Sequence, residues 1–280
     1  MLTFNDPGKL QAWCRLRRQK GEKIALIPTM GYLHEGHLSL IAAAKRKNAT
    51  QIVVSVFVNP TQFGPNEDYD KYPRDEKADV TKCRKAGATA MFFPTPRNMY
   101  PEDYSVFVNE DRLSATLCGA RRPGHFRGVC TVVAKLFNIV HPHFAMFGQK
   151  DFQQVQVIRR MVRDLNFDVE IAMAPIVREK SGLALSSRNT YLSDAERTSA
   201  LAISEALRTL RRKMHKVSKL PAGDVKKQIL AHLVKNGLKP DYVEAVDAET
   251  LAPSETIRKG VAVMIAAYAG KTRLIDNTII

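Results

Sequence analysis

Two short stretches in the first sixty residues are apolar without alternation: residues 24–27 read Ile-Ala-Leu-Ile, and residues 52–58 read Ile-Val-Val-Ser-Val-Phe-Val. A strand with one wet face alternates apolar and polar side chains. Runs like these are hidden on both faces, as in the parallel sheet of an α/β protein. The segments around them have the period of helices. Asp6-Pro7 reads as an N-cap with proline at the first helical position, followed by Leu10, Trp13, Cys14 and Arg17 at helical spacing and stopped by Gly21. Further strands are expected at 89–93, 105–109, 144–148 and 169–174, and further helices at 38–47, 75–86, 129–140 and 152–165. Strand and helix in alternation predict a doubly wound, Rossmann-like parallel sheet.

Near Pro175 the texture changes. Residues 176–189 are polar and basic, and Ser193-Asp-Ala-Glu196 is a capping box that opens a helix. A second helix from Asp224 is closed by Gly237, and strands follow at 242–246, 261–268 and 272–275. This predicts a smaller C-terminal α+β domain. At 280 residues the chain has room for two cores, and the expected division is 1–176 and 177–280. The N-terminus lacks the basic and apolar regions of a signal peptide, and no apolar run is long enough to span a bilayer, so the expected location is the cytoplasm. The four cysteines, Cys14, Cys83, Cys118 and Cys130, are scattered and read as buried thiols of a reducing compartment. With 43 Lys and Arg against 28 Asp and Glu, the net charge is +15. That suits acidic ligands or nucleic acid. The charge is shared by both halves, and its clusters fall on helical segments without interleaved aromatics, which favours solvated helix faces.

Chemistry concentrates where strands give way to helices. After the first buried run come Pro28-Thr29-Met30-Gly31 and then His34-Glu35-Gly36-His37, which opens a helix. The histidines are three apart and share a face. A helix start presents unpaired N–H groups and the positive end of the dipole to an anion, and imidazoles add donors where negative charge develops. The pair also suits a half metal site or two capping residues. The loop at 59–66 leaves the second buried strand and carries the amides Asn59 and Gln62. A basic loop at 121–128 holds His125 and three arginines, either a phosphate contact or a solvated loop. Lys150 stands on the turn after the 144–148 strand, with Gln153 and Gln154 in the helix turn that follows. Ser186-Ser187-Arg188 pairs two hydroxyls with a guanidinium. No G-x-G-x-x-G is present, so a dinucleotide site is not expected.

His-x-Gly-His after a strand resembles the signature of the nucleotidyltransferase superfamily. Five motifs in one order narrow this: PTMGYLHEGH at 28–37, VFVNPTQFGPNEDYDKYPR at 56–74, RPGHFRGV at 122–129, FGQKDFQQ at 147–154 and LSSRN at 185–189. Together they resemble the pantothenate synthetase (pantoate–β-alanine ligase) family. The resemblance implies ligation of pantoate to β-alanine with ATP and Mg²⁺, through an adenylate, releasing AMP and pyrophosphate. It implies that Met30, Gly31, Tyr32, Leu33, His34, Glu35, Gly36 and His37 hold ATP together with Gly148, Gln149, Lys150 and Asp151. Val177 would sit at the adenine, and Leu185, Ser186, Ser187 and Arg188 would close over the phosphates. His37 and His34, with Lys150 and Arg188, would be the catalytic groups. Gln62 and Gln154 would hold pantoate, and Asp79 matches a position linked to the metal. The family also implies a homodimer, with small-molecule partners and neither nucleic acid nor membrane. Gln149 stands where Glu is frequent and Leu185 where Met is frequent. Two other functions share parts of the pattern: nucleotidyl transfer to a phosphorylated substrate, and polyanion binding by a basic protein.

Overall fold

The computed structural model describes every residue from Met1 to Ile280 except Asn66, which falls in the proline-rich loop of the second motif. The chain forms two compact units: Met1–Gly148 with Gln153–Ala174, and Gln149–Phe152 with Pro175–Ile280. No shift of composition marks the four residues Gln149–Phe152 as part of the second unit.

The first unit is built on six strands: β1 (Leu2–Phe4), β2 (Ile24–Thr29), β3 (Gln51–Val56), β4 (Ala90–Phe92), β5 (Phe144–Gly148) and β6 (Glu170–Ala174). Their order is β1-β4-β3-β2-β5-β6, and every pair is parallel. The helices are α1 (Pro7–Gln19), α2 (Glu35–Arg46), α3 (Glu76–Ala86), the short α4 (Pro96–Met99) and α5 (Leu117–Arg121), α6 (His125–Val140) and α7 (Phe152–Asp164). Ile24, Ala25, Leu26 and Ile27 are fully buried, as the unalternating run requires. Ala25 and Ile27 face Leu40, Ile41 and Ala44 of α2 and Cys83 of α3. Ile24 and Leu26 project from the other side of the sheet, where α1 and α6 pack on β2 and on each other.

Chain order runs outward from β2 through β3 to β4 and, on the other side, from β5 to β6. The direction of winding thus reverses between β2 and β5, which are direct neighbours with Ala25 opposite Phe144. Open α/β sheets bind ligands beyond the carboxyl ends of the strands at such a point. Those ends here are Thr29 and Gly148.

The second unit holds α8 (Asp194–Met214), α9 (Ala222–Lys235) and the antiparallel strands β8 (Lys239–Asp247), β10 (Val261–Ala269) and β11 (Thr272–Ile279), in the order β11-β10-β8. A small pair, β7 (Leu220–Pro221) and β9 (Thr256–Ile257), flanks them. Its core is formed by Ala200, Ile203, Leu207 and Leu210 of α8, Val225, Ile229 and Leu233 of α9, and Val261, Val263, Ile265 and Ala267 of β10.

Three features differ from expectation. Leu2–Phe4 is a strand beside β4 that sequence periodicity could not show, since three residues define no period. Residues 105–109 have strand composition but form no strand. Val108 bonds instead to the Thr131 hydroxyl, which accepts from its N–H at 3.0 Å and donates to its carbonyl at 3.4 Å. The basic loop is also shorter than expected, because His125, Arg127 and Gly128 belong to the first turn of α6.

Candidate active site

The turn after β2 is tight. Gly31 and Tyr32 are both left-handed, with φ of 86° and 50°. Glycine is needed at 31 because a Cβ there would stand 2.8 Å from Val56 Cγ1. The N–H groups of Tyr32 and Leu33 donate to the two carboxylate oxygens of Asp79, at 2.8 and 2.7 Å. Lys82, one turn along α3, donates to the Leu33 carbonyl at 2.7 Å. Residues three apart on a helix share a face, so α3 fixes both polarities of this peptide segment. Burial pushes the Asp79 carboxyl above its ordinary range, while the Leu33 and Tyr32 N–H groups pull it down.

The family resemblance links Asp79 to the metal; in the structure its carboxylate faces the turn after β2. Its side chain is 1% exposed, and both oxygens are engaged by main-chain donors. The carboxylate shapes the turn. Among the described residues, no group of three or more His, Cys, Asp or Glu side chains is arranged to hold a metal ion.

His34 is the N-cap of α2, and both histidines use Nδ1 as an acceptor. Gly36 N–H donates to His34 Nδ1 at 3.1 Å, and His34 N–H donates to His37 Nδ1 at 3.3 Å. The capping and the chemical alternatives therefore coexist. A neutral imidazole that accepts at Nδ1 carries its proton on Nε2. In its neutral state each ring so placed presents Nε2–H, and the ring centroids lie 4.1 Å apart. Glu35 is exposed in the same first turn, beside Gly36.

The loop after β3 is fixed from within. Asn59 is 1% exposed and spends its amide on the loop. Its Nδ2 donates to Gln62 Oε1 and to the Gly128 carbonyl, both at 3.1 Å, and its Oδ1 accepts from the Tyr100 hydroxyl at 2.7 Å. It positions Gln62 and has no capacity left for a substrate. Gln62 Nε2 lies 3.1 Å from Met30 Sδ, which joins this loop to the turn after β2. Arg122 and His125 are turned inward as well. His125 Nδ1 donates to the Gln62 carbonyl at 2.8 Å, and its Nε2 accepts from Arg122 at 2.9 Å. Arg122 forms a two-pronged pair with Glu67, at 2.6 and 2.7 Å. Burial raises the Glu67 carboxyl, but Arg122, the Gly64 N–H and His125 outweigh it and hold the group below its usual range. Gly128 admits the close approach of α6, since a Cβ there would stand 2.3 Å from the Thr61 carbonyl oxygen. Gln154 is half-buried on the first turn of α7.

In the second unit, Gln149, Lys150 and Asp151 form a 3₁₀ turn. Lys150 Nζ lies 3.6 Å from Asp151. Val177 and Leu185 face each other across a hairpin, with Leu185 N–H donating to the Val177 carbonyl at 3.0 Å. Ser186 caps the short 3₁₀ helix Ser187–Tyr191 by accepting from Arg188 N–H, and Ser187 is buried. Beneath it, Asn189 donates to Glu179 at 3.0 Å, and Arg197 grips both Glu179 oxygens at 2.8 Å. Sequence reasoning missed Lys82, Glu67 and Asn189 as supports. Only Lys82 had a signal, its spacing of three from Asp79.

The family model for pantoate-beta-alanine ligase matches residues 2–279. A pantothenate synthetase of Thermotoga neapolitana is 55% identical over 264 residues, 94% of each chain. The crystal structure of the pantothenate synthetase of Thermus thermophilus is 42% identical, with a TM-score of 0.92 over 100% of this chain and 99% of that one. A pantoate-beta-alanine ligase of Francisella tularensis, solved in complex with beta-gamma ATP and beta-alanine, is 32% identical, with a TM-score of 0.82 over 100% of this chain and 97% of that one. A match from residue 2 to residue 279, beside relatives that align along nearly their whole length, shows that the chain belongs to the pantoate–β-alanine ligase family.

Proposed function

We propose that this protein joins the carboxylate of pantoate to the amine of β-alanine at the expense of ATP, through a pantoyl adenylate, releasing AMP and pyrophosphate. The observation that carries this reading is the histidine pair. In a chain of this family, two imidazoles accept backbone N–H groups at Nδ1 at the start of α2, beyond the carboxyl end of β2. The ligands named for the Francisella tularensis relative, beta-gamma ATP and beta-alanine, support the same co-substrates here.

In the first step a pantoate carboxylate oxygen attacks the α-phosphorus, and the bond to the bridging oxygen breaks as pyrophosphate leaves. Negative charge gathers on the phosphoryl oxygens. His34 and His37 donate to it through Nε2–H, and Lys150 and Arg188 add positive charge, so the acceleration is mostly positioning and electrostatics. Met30 to His37, Gly148 to Asp151, Val177 and Leu185 to Arg188 hold the nucleotide, and Gln62 and Gln154 hold pantoate. Mg²⁺ accompanying ATP would supply positive charge to the phosphates, and the resemblance would place Asp79 near it. In the second step the β-alanine amine attacks the acyl carbon, the bond to AMP breaks, and loss of a proton from nitrogen leaves the amide. No side-chain nucleophile is needed.

We also propose a cytoplasmic homodimer without nucleic-acid or membrane partners. No helix of the described residues is long and apolar enough to cross a membrane. The thiols of Cys14, Cys83 and Cys130 are each pushed up to about 12 by burial, which makes them inert and suits a reducing compartment. The deciding experiment is exchange of labelled pyrophosphate into ATP, with Mg²⁺ and pantoate but no β-alanine. Pantoate-dependent exchange is expected. ATP binding without such exchange would point to another nucleotidyl acceptor and overturn the reading.

A further inference from the structure

Two adjacent residues of β11, Asp276 and Asn277, hold the two segments of the second unit to which the function above assigns ATP. Asn277 is 2% exposed and Asp276 is 4% exposed. A polar side chain so deeply buried must find partners within the protein. Asn277 Nδ2 donates one hydrogen to the Gln149 carbonyl at 2.9 Å and the other to the Lys150 carbonyl at 3.0 Å. Its Oδ1 accepts from Gln149 Nε2 at 3.2 Å. The amide is therefore spent on two consecutive peptides of the turn that carries Lys150.

A trans peptide is planar, with its N–H pointing opposite to its C=O. Fixing the carbonyls of Gln149 and Lys150 on Asn277 therefore aims the N–H groups of Lys150 and Asp151 away from β11. Asp276 acts on the other segment. Its carboxylate takes both guanidinium nitrogens of Arg178, at 2.5 and 2.9 Å, and accepts from Asn277 N–H at 2.8 Å. Arg178 pairs with Ala184 at the root of the hairpin that leads into Leu185 and Ser186. Successive strand residues face opposite sides, so one peptide of β11 sets the register between the lysine turn and the serine–arginine loop.

We infer that Asn277 is a positioning residue for the nucleotide. It acts through the backbone of Gln149 and Lys150, with Asp276 holding the Leu185–Arg188 loop in register. The inference rests on the proposed assignment of those segments to ATP. An aliphatic side chain would fill the same buried position. What it would lose is the aim of two peptide dipoles, and that predicts a loss specific to the nucleotide.

The test uses the full-length protein and titrates a non-hydrolysable ATP analogue by calorimetry, alongside KM values for ATP, pantoate and β-alanine. Asn277→Ala is expected to weaken analogue binding about tenfold, a change of about 1.4 kcal/mol, and to raise KM for ATP similarly. KM for β-alanine should stay within about twofold, a change of under about 0.5 kcal/mol. Asn277→Asp keeps the shape and the acceptor but removes the donor, and should match Asn277→Ala. It decides the question should the alanine variant fail to fold. Asp241→Asn, which breaks the ion pair to Arg273 in the same sheet, controls for general loosening and should leave KM for ATP unchanged. Analogue affinity within about twofold of wild type in folded Asn277 variants would overturn the inference, as would equal rises in all three KM values shared with Asp241→Asn. Wild-type protein that binds no ATP analogue would instead overturn the functional assignment, and the positioning role with it.

Discussion

The imidazoles of His34 and His37 do two jobs, and the sizes of those jobs differ. As caps, their Nδ1 atoms satisfy backbone donors of α2, a contribution of about 0.5–2 kcal/mol to stability. As Nε2–H donors to a developing anion, each is worth about 10²–10³ in rate. His37→Ala should therefore lose about 0.5–2 kcal/mol in a denaturant titration and about 10²–10³-fold in pantoate-dependent pyrophosphate exchange. His37→Glu puts a capping-box acceptor at the same position. It should restore stability and leave exchange low. Nitrogen-15 spectra of the labelled histidines should show both rings protonated at Nε2 in the neutral state, and a proton on Nδ1 of either ring would remove its donor role. Asp79 poses the complementary case. Asparagine there keeps one acceptor and turns an NH₂ toward the N–H of Tyr32 or Leu33. Leaving one buried donor unsatisfied costs about 1–3 kcal/mol, so the stability of Asp79→Asn should fall by that much. A variant as stable as wild type would show that the carboxylate does not hold the turn.

At the scale of elements, the loop after β3 hangs on a chain of contacts from Glu67 through Arg122 and His125 to the Gln62 carbonyl. The Glu67 carboxyl is held below its ordinary 4.5 in the folded protein. Between 4.5 and that lower value the unfolded chain binds more protons than the native one. Stability from this group is therefore complete above 4.5 and is lost as pH falls through the folded value. Hydrogen bonds to a charged group contribute about 1.5–3 kcal/mol, so Glu67→Gln should cost about that much at neutral pH and flatten the acid limb of the stability curve. Its KM for pantoate should rise while KM for ATP holds. An acid limb unchanged in the variant would place the sensitivity elsewhere. Periodicity made most elements legible: β2, β3 and β5 show the unbroken apolar runs of strands buried on both faces, and the Ser193 capping box opens α8. The motif segments were legible for the same local reason, since strand, turn and helix start lie together in sequence. The supports were not. Asn277 meets Gln149 across 128 positions, and Arg122 meets Glu67 across 55, so no local pattern joins them. Asp79 could be picked out by resemblance, but its task became visible only once α3 lay against the turn after β2.

At the scale of the whole molecule, each unit buries its own core, and among the described residues of the first unit the segment around Val106 leaves apolar side chains exposed. Val106 is 74% exposed and Phe107 is 38% exposed. Residues 105–109 have the composition of a strand, yet Val108 draws its backbone partner from the Thr131 hydroxyl. The segment is held rigid all the same. Tyr100, Tyr104 and Phe107 stack edge-on, with centroids 5.0 and 5.2 Å apart, and the Arg127 guanidinium lies 3.8 Å above Phe107. Apolar side chains left in water forgo about 25 cal/mol for every Å² uncovered, and a partner that covers Val106 would recover part of that. A second copy of the chain is the partner consistent with the proposed homodimer. Val106→Asp would place a charge in that contact and should convert a particle of twice 31.4 kDa into one of 31.4 kDa by light scattering. Val106→Ala should only raise the concentration at which the two forms interconvert. A wild-type particle of 31.4 kDa at every concentration would overturn the homodimer, and a Val106→Asp dimer would move the interface to another face. Because Val106 lies outside every motif assigned to ATP or pantoate, the monomeric variant should retain exchange activity per chain, which separates assembly from chemistry.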